Sequence, residues 1–407
     1  ILGTVVSLGN NLFQNTTGGS GFVSSDLVGI DPLLSAQLLD VGPTLVHIPK
    51  YGSPLIDAGS STLYFKDQLG RLRNRDGNGN GVSQFDIGAF EVGQSPFAVI
   101  DDSYAGDDTS PIEAIDVNGD GTADLISASY VNDRISVRLN DGVGFFGAAE
   151  SYSSLDAVSG GLASADFDGD GYMDIVVAGE RQTGKIAVSF SNGDGTFATK
   201  REITFDTTGG RHIGIVAVDL TSDGVPDVAV TDNYRDRLTT IKYDRQADTF
   251  SVIAQISTAD QPNRLISSDV DGDNDNDLVV GSEAGILNVF LNDGSGNFSA
   301  GTHITTTGNI RELVAGDLNN DGVDDLVYVD TGSAGAIEIF LGDGSGGFIN
   351  NAESIPLAAP FGESGLEIID VDQDGLNDIV FLDGLAGQLN IYKNTGFNNG
   401  HTTFLHS

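Results

Sequence analysis

The stretch Asp166-Phe-Asp168-Gly-Asp170-Gly-Tyr172-Met-Asp174 decides the fold, because the same nine-residue acidic loop occurs six times in the chain. Successive copies begin 48 to 53 residues apart, the other five at Asp116, Asp219, Asp269, Asp317 and Asp370. A fixed period of this length is typical of a repeat architecture, in which each repeat is one supersecondary unit. The loop therefore fixes both the number of repeats and their phase.

Each repeat places the same series of segments around its loop. In the second repeat, an apolar run at residues 161–165 precedes the loop, and two more apolar runs follow at 174–178 and 185–190. A turn rich in Gly, Asp and Asn then leads to Phe197 and a more polar fourth stretch. Short runs separated by Asp-Gly and Asn-Gly turns predict antiparallel strands. Four such strands in roughly 50 residues are typical of one blade of a β-propeller.

The aromatic residue after the third strand predicts how the array ends. It recurs in phase at Phe97, Phe146, Phe197, Phe250, Phe298 and Phe348. We therefore expect the array to begin with a fourth strand at residues 97–104 and to end with a third strand at 389–392. A last blade completed by one strand from each end would leave no free sheet edge. The sequence predicts an all-β fold of six four-stranded blades, with seven as the alternative if the residues up to Phe404 contribute differently.

The loop has the composition of a calcium site. Calcium takes six to eight oxygen ligands in a flexible geometry. Oxygens at positions 1, 3 and 5 can converge on one point, glycine at position 6 permits a sharp turn, and position 7 can offer its backbone carbonyl. The early spacing matches an EF-hand loop, with Asp at position 9 as the closing carboxylate. The predicted ligands are Asp116, Asn118, Asp120, Thr122, Asp124; Asp166, Asp168, Asp170, Tyr172, Asp174; Asp219, Thr221, Asp223, Val225, Asp227; Asp269, Asp271, Asp273, Asp275, Asp277; Asp317, Asn319, Asp321, Val323, Asp325; Asp370, Asp372, Asp374, Leu376 and Asp378.

The six copies are not equal. Asn118 and Asn319 still supply an oxygen at position 3, whereas Thr221 is a weaker ligand and predicts lower affinity. Asn274 stands at position 6, where we expect it to adopt the left-handed turn that Asn tolerates better than most residues. The alternative is a set of metal-free Asx turns. Six copies in phase, with so many carboxylates close together, favour about six calcium ions, one per blade, each stabilising the folded state.

The overall charge limits the partners. The 407 residues include 59 acidic and 19 basic side chains, a net charge of −40. This charge argues against binding to nucleic acid or to anionic membranes. The chain has no cysteine and no apolar stretch long enough to span a membrane. Because it begins at Ile1 without a signal peptide, we expect a processed chain or a piece of a longer one.

Residues 1–95 lack the acidic repeat. Three landmarks occur in order: Asp31-Pro-Leu-Leu34, Ser53-Pro-Leu-Ile-Asp-Ala-Gly59 and Asp86-Ile-Gly-Ala-Phe-Glu91. Together they resemble the C-terminal end of right-handed parallel β-helix proteins of the choice-of-anchor type, which implies that 1–95 forms the last rungs of such a helix and 96–407 the propeller. The stretch 76–81 could be a seventh cation loop, but Gln84 stands where the others have Asp, so an Asn/Gly turn is favoured.

The acidic loops and their phase also resemble the FG-GAP/VCBS repeats found in the head of integrin α-chains. That resemblance covers residues 97–407 and implies an extracellular calcium-binding propeller used in adhesion and ligand recognition. The number of blades departs from it, since propellers of the integrin type usually have seven.

These observations lead to one functional expectation and two rivals. We expect a secreted or cell-surface, calcium-binding structural or adhesion protein that is not an enzyme and that binds an extracellular protein, a glycan or copies of itself in a matrix or filament. The rivals are a carbohydrate-binding module and a polysaccharide lyase or hydrolase. The last needs basic residues at a site, for which Arg71, Arg73 and Arg75 are the candidates, although a solvated turn explains them as well. The five histidines show no metal-ligand spacing and are predicted to lie on the surface.

Overall fold

A computed structural model of the chain describes residues 109–129, 133–140, 146–147, 149–155, 161–179, 184–206, 210–332, 335–357, 364–372, 374–383, 388–398 and 401–406. Among the first 108 residues it describes 3–4, 11–13, 19–20, 26–28, 30–32, 34, 39–40, 45–46, 53–55 and 58. Several predictions therefore fall outside the described residues: the strand at 97–104, the candidate loop at 76–81, and the arginines at 71, 73 and 75.

The N-terminal segment contributes six two-residue strands. They are β1 Gly3–Thr4, β2 Leu12–Phe13, β3 Gly19–Ser20, β4 Leu27–Val28, β5 Leu39–Asp40 and β6 Leu45–Val46. The pairs β1–β3 and β2–β4 are parallel, whereas β5–β6 is antiparallel. The third landmark of the predicted β-helix, at 86–91, lies outside the described residues and the other two are described only in part. The β-helix therefore stays a prediction.

Six four-stranded antiparallel sheets follow, one for each repeat, and in every sheet the strands pair in chain order. These blades are β7 Thr109–Ile115, β8 Asp124–Ser129, β9 Arg134–Arg138, β10 Glu150–Ser153; β11 Leu162–Ala165, β12 Asp174–Ala178, β13 Gly184–Ser189, β14 Arg201–Asp206; β15 His212–Val218, β16 Asp227–Asp232, β17 Arg237–Asp244, β18 Thr249–Ser257; β19 Pro262–Ser268, β20 Asp277–Ser282, β21 Ile286–Asn292, β22 Phe298–Thr305; β23 Ile310–Gly316, β24 Asp325–Asp330, β25 Ala336–Gly342, β26 Phe348–Pro356; and β27 Ser364–Ile369, β28 Asp378–Asp383, β29 Gln388–Asn398, β30 His401–His406. The six-bladed propeller predicted from the repeats is confirmed.

The last blade corrects the prediction about how the array ends. It has its own third and fourth strands, β29 and β30, and Asn398 pairs with His401 across their hairpin. The side chain of Phe404 in β30 packs against the core between the fifth and sixth blades. A last blade completed from both ends of the array is therefore wrong. The overlooked signal is Asn399-Gly400, a dipeptide typical of a two-residue hairpin.

The hydrophobic core lies between neighbouring blades. Val176 of the second blade and Ile215 and Val230 of the third belong to one buried cluster. The second strand of a blade has neighbours on both faces, and every residue of β16, β20 and β24 is buried. A strand covered on both faces is apolar along its length rather than alternating, which explains the Val- and Leu-rich runs after each acidic loop.

The chain divides into two compact units. One comprises residues 1–103, 121–123 and 139–148 and contains β1 to β6. The other comprises 104–120, 124–138 and 149–407 and contains the strands of all six blades. The domain boundary predicted at residues 95 and 96 lies outside the described residues and stays a prediction. No helix in the described part of the chain is long and apolar enough to cross a membrane.

One of the histidines departs from its predicted surface position. His212, the first residue of β15, is 1% exposed, and its Nδ1 lies 3.1 Å from the carbonyl of Thr231, to which it donates. The ring packs edge-on against Phe205, with centroids 5.1 Å apart. Burial lowers the pKa of His212, an effect that the nearby carboxylate of Asp232 opposes. His303 lies on the surface as expected.

His212 should make the propeller less stable in mild acid. Its pKa is lowered by folding, so the unfolded chain takes up a proton near the ordinary value of about 6.5 while the folded protein stays neutral. The stabilisation is complete above that pH and is lost as the pH falls, by up to about 1.4 kcal/mol per pH unit. Urea unfolding between pH 7.5 and 5 at fixed calcium should therefore show a shallower loss for His212→Gln, and no change for His303→Gln. Parallel curves for all three proteins would contradict this assignment.

Candidate metal sites in the acidic loops

Each acidic loop joins the first strand of its blade to the second. The second strand begins with the Asp at position 9 in all six blades, at Asp124, Asp174, Asp227, Asp277, Asp325 and Asp378. All six are at most 1% exposed. The predicted strand start at position 9 is thus confirmed.

The carboxylate at position 9 holds three strands together. One oxygen accepts the backbone N–H of position 2, as Asp174 does from Phe167 at 2.9 Å, and the other five blades repeat this bond at 2.9–3.2 Å. In the second to sixth blades the other oxygen accepts an N–H near the end of the third strand: from Ser191, Tyr243, Asn292, Gly342 and Asn394, at 2.8–3.1 Å. Burial raises the pKa of four of these carboxyls to about 6: Asp174, Asp227, Asp277 and Asp325.

The carboxylate at position 1 orders the loop from inside. In the second blade, Asp166 accepts the N–H groups of Gly169 at 2.6 Å and Gly171 at 3.0 Å. The equivalent bond to position 6 recurs at Asp219, Asp269, Asp317 and Asp370. Position 6 is left-handed throughout, with φ between 70° and 92°, and Asn274 adopts this conformation with φ of 70°. The tolerance expected of Asn274 is confirmed.

Carboxylates converge in three loops. One oxygen from each member lies within 4.8 Å of the others in the groups Asp166, Asp168, Asp174; Asp269, Asp271, Asp273; and Asp370, Asp372, Asp374. In the loops with Asn at position 3, the Oδ1 atoms of Asn118 and Asn319 each accept the N–H of position 5 at 2.9 Å. Asp168 accepts the same bond at 3.1 Å, so the amide oxygens take the orientation of the carboxylate. Hard oxygen donors in this arrangement fit calcium.

Position 7 was predicted to contribute its backbone carbonyl. The side chains at this position make other contacts in two of the loops. The carboxylate of Asp275 accepts the hydroxyl of Ser222 from the third blade at 2.8 Å. The ring of Tyr172 lies against Gly193, where an added Cβ would come within 2.6 Å of it. The backbone carbonyls at position 7 stay predicted ligands in all six loops: those of Thr122, Tyr172, Val225, Asp275, Val323 and Leu376.

The following blade fastens each of the first five loops through the carbonyl at position 2. The side chain at position 2 is at most 1% exposed in these loops. Its carbonyl accepts a bond from the next blade along the chain: Ser191 Oγ to Val117 at 3.3 Å, Arg245 Nε to Phe167 at 2.7 Å, Asn292 Nδ2 to Leu220 at 3.0 Å, Gly346 N to Val270 at 3.2 Å, and Asn394 Nδ2 to Leu318 at 2.7 Å. The loops are therefore part of the contact between blades.

Sequence reasoning missed the side chains that reach a loop from elsewhere. Arg245 of the third blade contacts the loop at Asp166, and Lys242 and Lys393 bond to Asp223 and Asp372. The two lysines occupy the same place in their repeats, directly before the residue whose N–H binds position 9. Comparison of the third strands in register, rather than of the acidic loops alone, would have found them.

Solved structures share the propeller fold at low sequence identity. A candidate 6-phosphogluconolactonase of Bacteroides uniformis is 14% identical, with a TM-score of 0.54 over 72% of this chain and 82% of that chain. A second one, from Bacteroides fragilis, is 13% identical, with a TM-score of 0.53 and the same coverage. A periplasmic gluconolactonase of Pseudomonas aeruginosa is 16% identical, with a TM-score of 0.50 over 70% and 82%. No curated protein matches the sequence.

These likenesses show the fold alone, and they correct one expectation. The chain was expected not to be an enzyme because of its repeats, its acidity and the absence of a catalytic constellation in its sequence. Propellers of similar fold bear the names of lactonases, so that this expectation is wrong as an inference from architecture.

The repeats themselves match a family model. The description of that model is FG-GAP-like repeat, and it matches residues 116–177, 166–230, 269–328 and 318–381. Each matched segment runs from one acidic loop to the strand that follows the next loop, and together the segments cover more than half of the chain. The resemblance seen in the loops is confirmed at this level: the chain belongs to the FG-GAP-like repeat family.

Proposed function

We propose that the protein is a calcium-stabilised extracellular propeller that presents a surface to a protein or glycan ligand. The observation that carries this proposal is the convergence of carboxylate oxygens in the acidic loops of three repeats, within 4.8 Å in the loops at Asp166, Asp269 and Asp370. A calcium ion in each loop whose oxygens converge is the ligand whose chemistry fits these oxygens best.

Repulsion between the carboxylates supports a bound cation. In the described part of the chain, no Lys or Arg pairs with Asp269, Asp271 or Asp273. Burial, followed by repulsion from Asp273, raises the pKa of Asp271. A divalent ion placed among these oxygens would remove the repulsion and stabilise the loop, because it binds the folded state alone.

The proposed location follows from the same chemistry. Calcium modules outside cells work with dissociation constants of about 10⁻⁴ to 10⁻³ M, matched to the calcium around them. Loops that are largely exposed to solvent and that bind through Asp and Asn side chains fit dissociation constants in this range. We place the protein outside the cell or on its surface, where it would bind a partner or associate with copies of itself.

The ligand surface is proposed at the ends of the strands away from the acidic loops. There the turn between β16 and β17 carries Tyr234, whose side chain is 74% exposed. An exposed tyrosine can stack on a sugar ring or pack against a protein side chain. The ring of Tyr152 instead packs edge-on against that of Phe197, with centroids 5.6 Å apart.

Calcium binding and ligand binding are tested separately. Equilibrium dialysis against millimolar calcium, with metal analysis, should find several calcium ions on each chain, and a chain free of calcium under these conditions would refute the metal sites. Screening on a glycan array and against extracellular proteins should then find a ligand whose binding Tyr234→Ala weakens. A ligand that is insensitive to this change would place the surface elsewhere.

A further inference from the structure

The loop of the third blade contains a cation of its own. Lys242 lies on β17, and its Nζ is 3.0 Å from Thr221 Oγ1 and 2.6 Å from Asp223 Oδ2. One ammonium group therefore binds the side chains at positions 3 and 5 of this loop.

This lysine is in register with apolar residues elsewhere. It directly precedes Tyr243, whose N–H binds the carboxylate at position 9. The corresponding residues of the second, fourth and fifth blades are Phe190, Leu291 and Leu341, which precede Ser191, Asn292 and Gly342. In these three blades no ammonium can reach the loop from this position.

The sixth blade shares the lysine but not the rest of the arrangement. Lys393 Nζ lies 2.9 Å from Asp372 Oδ2, and the lysine side chain is 40% exposed. The loop it contacts keeps Asp at positions 1, 3 and 5, and these three carboxylates converge. The third blade has Thr221 at position 3, and its loop is not among the converging groups of the described residues.

Two changes in the third blade thus act against a divalent ion. The hydroxyl of Thr221 replaces a carboxylate, which lowers the negative charge available to a metal. The ammonium of Lys242 adds a positive charge that repels calcium and takes up donor oxygens. We propose that Lys242 takes the place of calcium in the loop at Asp219, so that the third blade is held by an internal counter-ion and needs no metal. This inference rests on the proposed calcium binding of the other loops.

The consequence is an uneven dependence on calcium along the chain. The third blade should keep its ordered loop when calcium is absent, whereas the loops at Asp166 and Asp269 should not. Lys242 then determines the cation specificity of this loop, because its own ammonium group occupies the place that a metal ion would take.

The test restores the missing features of a metal site. The double variant Thr221→Asp, Lys242→Met should bind one calcium ion more per chain than the wild type in equilibrium dialysis, and crystals grown in calcium should show the additional anomalous peak at Asp219. Thr221→Asp, Lys242→Arg keeps the positive charge and should gain no ion. The matched control Lys185→Met removes a half-buried lysine of the second blade that pairs with Glu202 at 3.0 Å, and it should leave the count unchanged.

The outcomes separate the two proposals. A wild-type crystal with calcium bound at Asp219 would overturn the role of Lys242 while supporting calcium binding in general, and so would a double variant that folds but gains no ion. A wild type that binds no calcium in any loop would instead overturn the proposed function. Circular dichroism in calcium shows whether the double variant folds, and the melting temperature in chelator gives a second measure. Lys242→Met alone should melt lower there than the wild type, since it leaves the carboxylates of the third loop without a counter-ion.

Discussion

Removing calcium is expected to lower the melting temperature of the propeller by about 10 °C or more. A site held at 100 times its dissociation constant, as about 10 mM calcium holds a site of about 10⁻⁴ M, adds about 2.7 kcal/mol to the free energy of unfolding. At about 2 °C per kcal/mol in a domain of this size, three such sites are sufficient for the shift. We expect the greatest loss of structure in the loops at Asp166, Asp269 and Asp370, because their carboxylates converge.

Differential scanning calorimetry in calcium, in chelator, and in chelator saturated with calcium checks this prediction. The third sample controls for the chelator and should match the first. Magnesium should restore little of the stability, because it demands octahedral geometry and gives up its water reluctantly. Identical melts with and without free calcium would contradict a stabilising role for the ion.

Replacing Asp277 by Ala is expected to destabilise the fourth blade strongly even without calcium. The carboxylate of Asp277 is 0% exposed and accepts the N–H groups of Val270 at 3.1 Å and Asn292 at 2.8 Å. Ala leaves both donors buried and unsatisfied, and each costs about 1–3 kcal/mol. We expect a loss of about 4 kcal/mol in the free energy of unfolding.

Urea unfolding in chelator measures this loss apart from any metal. Asp277→Asn keeps one acceptor oxygen and should fall between the wild type and Asp277→Ala. Asp293→Ala is the matched control, since this Asp of the same blade is exposed and serves only its own turn, with Ser295 N at 2.9 Å. If Asp277→Ala were no less stable than the control, the three-strand role of position 9 would be wrong.

The fold was predictable because its information is local and repeated. The acidic loop and the apolar runs around it each occur six times, so an error in one repeat is corrected by the others. The position of Asp227 or Asp277 at the start of a strand follows from the loop alone, and so does the left-handed turn at Asn274. The end of the array occurs once and had no second copy to correct it, which is why β30 was missed.

The candidate sites were predictable only in part, because some of their atoms come from distant segments. Lys242 reaches the loop at Asp219 from the third strand, and Arg245 crosses from one blade to the next. Neither contact has a local signal in the acidic motif. The burial of His212 was missed for the same reason: its cover comes from Phe205 of the preceding blade. To predict a contact between two distant segments, one needs to know the register of the strands in the sheets. The acidic loop motif does not contain this information.

The bond that each blade gives to the position 2 carbonyl of the loop before it bears on how such an array can evolve. The donors differ along the chain: a serine hydroxyl, an arginine, two asparagines and one main-chain N–H. Identical repeats could exchange places, whereas neighbours that are joined by unlike donors cannot do so without losing these bonds. Recombination that reorders the repeats would separate Arg245 from its acceptor, the carbonyl of Phe167. The contacts between blades therefore constrain the order of the repeats.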